Sequence, residues 1–423
     1  MERPLTRNID LKRGPLDIVS YRKASGYAAA EKALRQLAPA EVIQRVTDAN
    51  LRGRGGAGFP TGRKWSSVPM GDDAPRPRYL VINADEMEPG TFKDRILLEG
   101  DPHQMIEAII ISAYAIEANV AYLFLRGEYR DAARHLRQAI GEAYAVGLLG
   151  KNILGSDFSL DLHLHISAGR YICGEGSALL NALEGRRAIP NKETRSTTAG
   201  LWGKPTVVNN VETLYNVPHI VQHGAEWFRN LSKCGDGGSK IYGVSGRVKR
   251  PGWWELPMGT TMRELLEEHA GGMQDGYGFR ALLPGGASTE FVLAEHLDTA
   301  MDFDAVQAVG SRMGTGTMII LDDRNCPVGM LHNLQRFFAQ ESCGWCTPCR
   351  DGLPWTASLL EAIERGEGQP GDLDLLDMHA RLMGPGRTYC MLAPGATEPL
   401  RSGLKYFRAE FERHIREGGC SYA

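Results

Sequence analysis

Between about residues 25 and 230, short apolar runs alternate with longer stretches in which apolar residues recur every three or four positions. Residues 79–83, 120–125 and 160–166 read as strands, and 40–50, 105–117 and 129–146 read as helices. Alternation of this kind predicts an α/β domain with its sheet in the middle. Past the glycine- and charge-rich stretch 233–238 the pattern changes. Strands are expected at 240–245 and 252–256, with Arg250, Pro251 and Gly252 between them. A helix should start at Thr261, where Glu264 completes a capping box, and end at Gly271 and Gly272. Further strands are expected at 279–283 and 317–321. Strand, strand, helix, strand, strand over so few residues predicts a β-grasp, ubiquitin-like module. From Gly329 onward the spacing is helical, through Leu331, Leu334, Phe337 and Phe338, then Leu359, Ala362 and Ile363, then 373–382 and 400–415. The expected division is 1–238 for the α/β domain, 239–328 for the β-grasp module and 329–423 for a helical bundle.

At 423 residues there is chain enough for several domains and a sizeable core. Lys and Arg number 48 against 51 Asp and Glu, a net charge of −3, so no basic field points to nucleic acid. The most membrane-like stretch, 105–125, carries Glu107, Glu117 and Asn119, which argues against a spanning helix or any direct membrane insertion. The first fifteen residues hold no apolar run, so neither a secretory nor a transit peptide is expected. Eight cysteines in a chain of this length do not make a disulfide framework, and a reducing cytoplasm is the expected setting.

Those cysteines do change the picture. Cys343, Cys346 and Cys349 lie in ESCGWCTPCR, and Cys390 follows alone in RTYCMLAPGA. Three thiolates two residues apart wrap one side of an iron–sulfur cube, and a distant fourth completes the usual complement. Gly344 allows a tight turn close to sulfur, and Pro348 precedes the third ligand. A structural zinc with four cysteines is the rival at this point, although zinc more often takes two separate pairs. Cys173, Cys234, Cys326 and Cys420 read as structural residues or thiols outside any cluster.

Residues 53–58 satisfy G-x-G-x-x-G, but a dinucleotide fingerprint must follow a strand and open a helix. Here a helix precedes and Phe59 and Pro60 follow, so the ordinary Rossmann reading fails. What is left is a loop whose backbone N–H groups, with Arg54, Arg63 and Lys64 alongside, suit a phosphate or an electron-rich ring; the plain alternative is a surface turn. Residues 83–90, with Asn83, Asp85, Glu86 and Glu88, begin where a strand ends, the place where open α/β sheets bind ligands. Gly174, Glu175, Gly176 and Ser177 follow a strand-like stretch 170–173, and a fourth motif spans 207–213. Each motif is weak alone, but all four fall in one α/β domain.

Together, RGRGGAGFPTGRKW, NADEMEPGTFKDR, GRYICGE, GKPTVVNNVETL and ESCGWCTPCRDG closely resemble the NADH-binding flavoprotein of respiratory complex I, the F subunit of the bacterial enzyme. The resemblance runs from about residue 20 to 415. It implies a Rossmann-like domain that holds FMN and receives NADH, a 4Fe–4S cluster, and NADH:quinone oxidoreductase activity. Carried over position by position, FMN would meet Gly53, Arg54, Gly55, Gly56, Lys64, Asn83, Asp85, Glu86, Gly174, Glu175, Val208, Asn209, Asn210 and Thr213. NADH would meet Phe59, Lys64, Glu88 and Glu175, and the cluster would be held by Cys343, Cys346, Cys349 and Cys390. No catalytic side chain is required, since hydride transfer is the flavin's own chemistry.

The implied partners are a small 2Fe–2S subunit and a larger multi-cluster subunit, in a peripheral arm on the cytoplasmic side of the bacterial inner membrane. The diaphorase subunit of an NAD-linked hydrogenase or formate dehydrogenase shares these motifs and is the alternative. The short extensions before the first motif and after Cys390 argue against it. Two departures bear on the dinucleotide: Gly176 stands where the family usually has a second Glu, and residues 189–196 replace a Pro- and Phe-rich segment.

Overall fold

The computed structural model describes residues 2–10, 12–191 and 195–422. It divides into two compact units: Met1–Met87, Phe92–Ile241 and Glu255–Gly259 in the first, Glu88–Thr91, Tyr242–Trp254 and Thr260–Ala423 in the second.

In the first unit, β1 (Tyr79–Ala84), β2 (Val120–Leu125), β3 (Asp161–Ile166) and β4 (Thr206–Asn210) form one sheet in the order β3-β2-β1-β4, every pair parallel. Parallel neighbours need crossovers, and the helices Lys93–Gly100 and Pro102–Ala115 connect β1 to β2 while Arg130–Ala145 connects β2 to β3. Pro102–Ala115 is buried along almost its whole length, which explains its membrane-like composition: it is a core helix. Glu107 within it is a satisfied buried carboxylate, accepting from the Tyr21 hydroxyl at 2.7 Å and the Ala29 and Ala30 amides at 3.0 and 3.2 Å. The expected extended stretch at 170–173 is instead a 3₁₀ turn, Tyr171–Gly174. The Cys173 amide donates to the Arg170 carbonyl at 3.0 Å, which closes the turn on itself rather than on a neighbouring strand.

A second four-stranded sheet runs β6-β5-β8-β7, from β5 (Ser239–Ser245), β6 (Gly252–Pro257), β7 (Phe279–Leu283) and β8 (Thr317–Asp322). It is mixed: β5 meets β8 in parallel and β7 meets β8 antiparallel. The capping box forms, with Thr261 N–H to Glu264 at 2.8 Å and Glu264 N–H to the Thr261 hydroxyl at 3.1 Å, but the helix then winds as a π-helical turn over Glu264–His269. The C-terminal region is helical, with Pro327–Glu341 packed on Thr347–Glu364 and on Leu392–Tyr406. The single helix expected at 400–415 is two, Leu392–Tyr406 and Arg408–Glu417, broken at Phe407. The first of them begins earlier than the sequence suggests and runs through Pro399. The ring removes one backbone hydrogen bond, and burial of Leu392, Ala393, Ala396 and Leu400 offsets that loss.

Candidate functional site

The carboxyl ends of β1 and β4 are adjacent, with Asn83 paired to Asn210 in register. β1 lies between β2, reached by one crossover, and β4, reached only after β3. That is the switch point at which open parallel sheets bind ligands. Four sequence motifs meet at this edge.

The glycine loop 53–58 follows the helix Pro39–Asp48 and is pinched at its neck, where the Gly53 amide donates to the Phe59 carbonyl at 2.9 Å and Arg52 Nε to the Gly58 carbonyl at 2.9 Å. Gly56 has φ +120°, a conformation that a side chain would strain. Gly55 sits so close to Asn210 that a Cβ there would come to 3.0 Å from the Asn210 Cβ. The Arg54 amide donates to the Thr213 hydroxyl at 2.8 Å, and its fully buried guanidinium donates to the Gly237 carbonyl at 2.6 Å. Lys64 Nζ donates to the Val208 carbonyl at 3.0 Å, and burial holds its pKa below the ordinary lysine range. Trp65 Nε1 donates to Asn209 Oδ1 at 2.9 Å, and Asn83 Nδ2 to the Gly174 carbonyl at 3.3 Å. Hydrogen bonds and close approach thus tie the turns at Gly53 and Gly174 to Asn83 of β1 and to Val208, Asn209 and Asn210 of β4.

Several of the expected contacts have structural work of their own. Glu86 accepts from the Asp94 amide at 2.9 Å, the Arg95 amide at 3.2 Å and the Tyr129 hydroxyl at 2.9 Å. Burial, and then the nearby Asp94, raise its pKa to about 7. Asp85 accepts from the Ser167 hydroxyl at 2.9 Å. Glu175 caps the helix Gly176–Leu183, accepting from the Ala178 amide at 2.8 Å, and Asn210 caps Val211–Tyr215. Phe59 is exposed, with the cationic groups of Arg63 and Lys64 5.9 and 6.0 Å from its ring centre. Glu88 belongs to the second unit, where it accepts from the Ser288 amide at 2.7 Å. Of the divergent segment 189–196, Lys192, Glu193 and Thr194 lie outside the described residues.

A charge cluster beneath this edge leaves no trace in the sequence pattern. Glu212 is fully buried between Lys240 at 2.8 Å and Lys93 at 3.1 Å, and Lys93 also meets Asp94 at 2.6 Å. Asp94 in turn accepts from Asn210 Nδ2 at 2.6 Å, so the cluster sets the position of that side chain. The motifs NADEMEPGTFKDR and GKPTVVNNVETL contain Lys93, Asp94 and Glu212, but nothing in their spacing shows that they pair.

In the second unit, Cys346 is the N-cap of Thr347–Glu364, which places Cys349 in the first helical turn. Gly344, at φ +76°, turns the chain between Cys343 and Cys346, and the Ser342 hydroxyl lies 3.2 Å from Cys349 Sγ. The Cys349 thiol is pushed up to about 12, first by burial and then by the closeness of Cys346, Cys390 and Cys343, with the Ser342 contact opposing. Thiols that raise one another's pKa in this way resist losing their protons unless a cationic group lies among them, so the donor set fits a cluster. The flavin edge fits too: around Gly174 a Cβ would meet nothing within 4 Å, open room beside a backbone carbonyl and an amide side chain.

Three family models match the chain: "Nuo51 FMN-binding domain" over residues 46–219, "SLBB domain" over 241–292 and "NADH-ubiquinone oxidoreductase-F iron-sulfur binding region" over 329–414. The F subunits of the NADH-quinone oxidoreductases of Salmonella typhimurium and Escherichia coli are each 55% identical over 415 residues, 98% of this chain and 93% of theirs. The F subunit numbered 2 of Rhizobium meliloti is 50% identical over 419 residues, 99% of both chains. Among solved structures, a chain of an NAD+-reducing [NiFe]-hydrogenase in the H2-reduced state superposes with a TM-score of 0.83 at 35% identity. The match covers 94% of this chain and 66% of the hydrogenase chain. With its FMN-binding region, its iron–sulfur region and relatives more than half identical over nearly its full length, this chain belongs to the F-subunit family of NADH-quinone oxidoreductases.

Proposed function

We propose that this chain is the NADH dehydrogenase subunit of a respiratory NADH:quinone oxidoreductase. The observation that carries the reading is the convergence of the four motifs at the β1–β4 switch point, in a chain whose second unit gathers four cysteines. FMN, when bound, supplies hydride chemistry with NADH, and the 4Fe–4S cluster supplies one-electron transfer onward. The protein's part is to bind, orient and exclude water. Gly53 and the amides of Gly55 and Gly56, with buried Arg54 and half-buried Lys64, are the groups we assign to the flavin's phosphate and ring. Asn83, Asp85, Glu86, Gly174, Glu175, Val208, Asn209, Asn210 and Thr213 are assigned to its ring edge and ribityl chain. Phe59, Lys64, Glu88 and Glu175 are assigned to NADH, and Cys343, Cys346, Cys349 and Cys390 to the cluster. Gly176 removes one negative charge from the assigned dinucleotide wall and so weakens its bias against the extra phosphate of NADPH.

The domain limits 1–238, 239–328 and 329–423 are the functional division we propose, with the second sheet and its π-helical turn as a β-grasp module. Membership of the F-subunit family implies iron–sulfur partner proteins in a peripheral arm; a small 2Fe–2S subunit and a large multi-cluster subunit are the partners we propose, on the cytoplasmic face. None of the described helices is long and apolar enough to cross a membrane. The likeness to the hydrogenase chain keeps a diaphorase role as the second reading, weaker at 35% identity than the 55% to the F subunits. Cofactor analysis tests the proposal: one FMN and four irons per chain are expected. Zinc in the four-cysteine site, with no visible absorbance beyond the flavin bands, would overturn the cluster assignment.

A further inference from the structure

Four donor atoms far from the cluster cysteines in sequence meet at the end of the helical region. Cys326, Glu364, His414 and Cys420 present ligand atoms that all lie within 4.8 Å of one another. Cys326 is the N-cap of Pro327–Glu341, Glu364 is the last residue of Thr347–Glu364, His414 lies on Arg408–Glu417, and Cys420 follows that helix. Cys326 Sγ is 2.9 Å from Glu364 Oε1 and 3.2 Å from His414 Nε2, and His414 Nε2 is 3.5 Å from Glu364 Oε1. The Cys420 amide donates to the Glu364 carbonyl at 3.2 Å, which fixes the tail beside the other three.

We propose that these four residues form a structural zinc site, separate from the flavin edge and from the iron–sulfur cysteines. The chemistry of the set points to zinc: two thiols, one imidazole and one carboxylate are nitrogen, sulfur and oxygen donors that suit Zn²⁺ far better than Mg²⁺ or Ca²⁺. Zinc bonds of about 2.0–2.3 Å in a tetrahedron place ligand atoms roughly 3.3–3.8 Å apart. The 3.2 and 3.5 Å separations already approach that spacing, and the 2.9 Å contact needs to open by less than 1 Å.

The imidazole is prepared for the role. His414 Nδ1 lies 2.7 Å from the Glu410 carbonyl, which can only accept, so Nδ1 carries the proton and Nε2 turns its lone pair toward the cluster. His414 is fully buried, which holds the ring in place. Gly329 fits the same arrangement, since a Cβ there would come to 3.2 Å from Glu364 Oε1. With four protein ligands the sphere is closed and leaves no position for a substrate, so the site's work is to staple three helix ends and the tail together.

The rival state is a hydrogen-bonded set of protonated thiols, or a Cys326–Cys420 disulfide. The experiment uses the full chain, purified anaerobically with its cofactors and without chelators. Elemental analysis should find one zinc per chain in addition to the irons. Zinc-edge X-ray absorption should show two sulfur and two nitrogen or oxygen neighbours. C420S should lose most of that zinc while iron and FMN contents stay at the parent level, and C326S serves if C420S does not fold. No stoichiometric zinc in the parent, four sulfur neighbours around whatever zinc is present, or a Cys326–Cys420 disulfide by mass spectrometry would each overturn the proposal.

Discussion

Replacing Glu212 with Gln tests whether the buried charge cluster organises the flavin edge. Glu212, Asp94, Lys93 and Lys240 together are neutral, and all four are almost completely buried. E212Q leaves one uncompensated positive charge in the core. At an effective dielectric of about 20, each lysine contact, at 2.8 and 3.1 Å, has a gross attraction of about 5–6 kcal/mol. Desolvation of the ions offsets much of this, so the measured cost of breaking the set should be about 3–5 kcal/mol. Gln retains an acceptor for the Ile241 amide, bound at 2.8 Å, which places the expected loss near 3 kcal/mol. K240M in the same chain restores neutrality and should recover about 1–3 kcal/mol of the loss. Lys240 makes this partner choice a sound one, because burial, with Glu212 opposing, already lowers its pKa to about 8. Urea denaturation of the flavin-loaded chain, read by the release of flavin fluorescence, reports on the first unit specifically. An E212Q chain that unfolds within about 0.5 kcal/mol of the parent, the ordinary range for surface changes, would refute an organising role for the cluster. Simple additivity of the two substitutions would refute it equally.

Cys346→Ser should abolish the cluster's EPR signal and lower the iron content while NADH still reduces the flavin, because the cysteines and the residues assigned to the flavin belong to different compact units; loss of both in a folded protein would contradict the assignment. Gly55→Ala places a Cβ 3.0 Å from the Asn210 Cβ, so FMN affinity should fall several-fold in fluorescence titration, and unchanged affinity would remove the loop from the site. For Glu86 the folded pKa is raised, to about 7, so the folded chain holds an extra proton between the unfolded value of about 4.3 and 7. Stability of the flavin-free chain should therefore fall as pH rises through that window, by an amount on the order of 3 kcal/mol. Urea midpoints at pH 5 and 8 should converge in Glu86→Gln relative to the parent, and an identical pH slope in both would refute the raised pKa.

The strands of the first sheet were legible because Tyr79 to Ile82 and Val120 to Leu125 are apolar runs bounded by polar turns. The glycine loop was legible in a negative sense: the helix Pro39–Asp48 before it rules out the Rossmann fingerprint, as its sequence indicates. The turn Tyr171–Gly174 was not legible, since its apolar residues suit a strand and the backbone bond from Cys173 to Arg170 that closes it leaves no mark in the residue pattern. The long run from Leu392 through Pro399 was hidden for the opposite reason, because tertiary burial overrides a local breaker. Pairings between distant residues leave no local trace: Glu212 with Lys240 and Lys93, and Cys326 with His414, carry no spacing that a sequence pattern can register.

The most direct test of the central claim is anaerobic titration of the purified, cofactor-loaded chain with NADH, followed by its visible and EPR spectra. The flavin absorbance should bleach, and a reduced 4Fe–4S signal should appear that is absent in Cys346→Ser. A flavin that stays oxidised in excess NADH, in a folded chain that dithionite still reduces, would contradict the reading of this chain as the component that takes electrons from NADH.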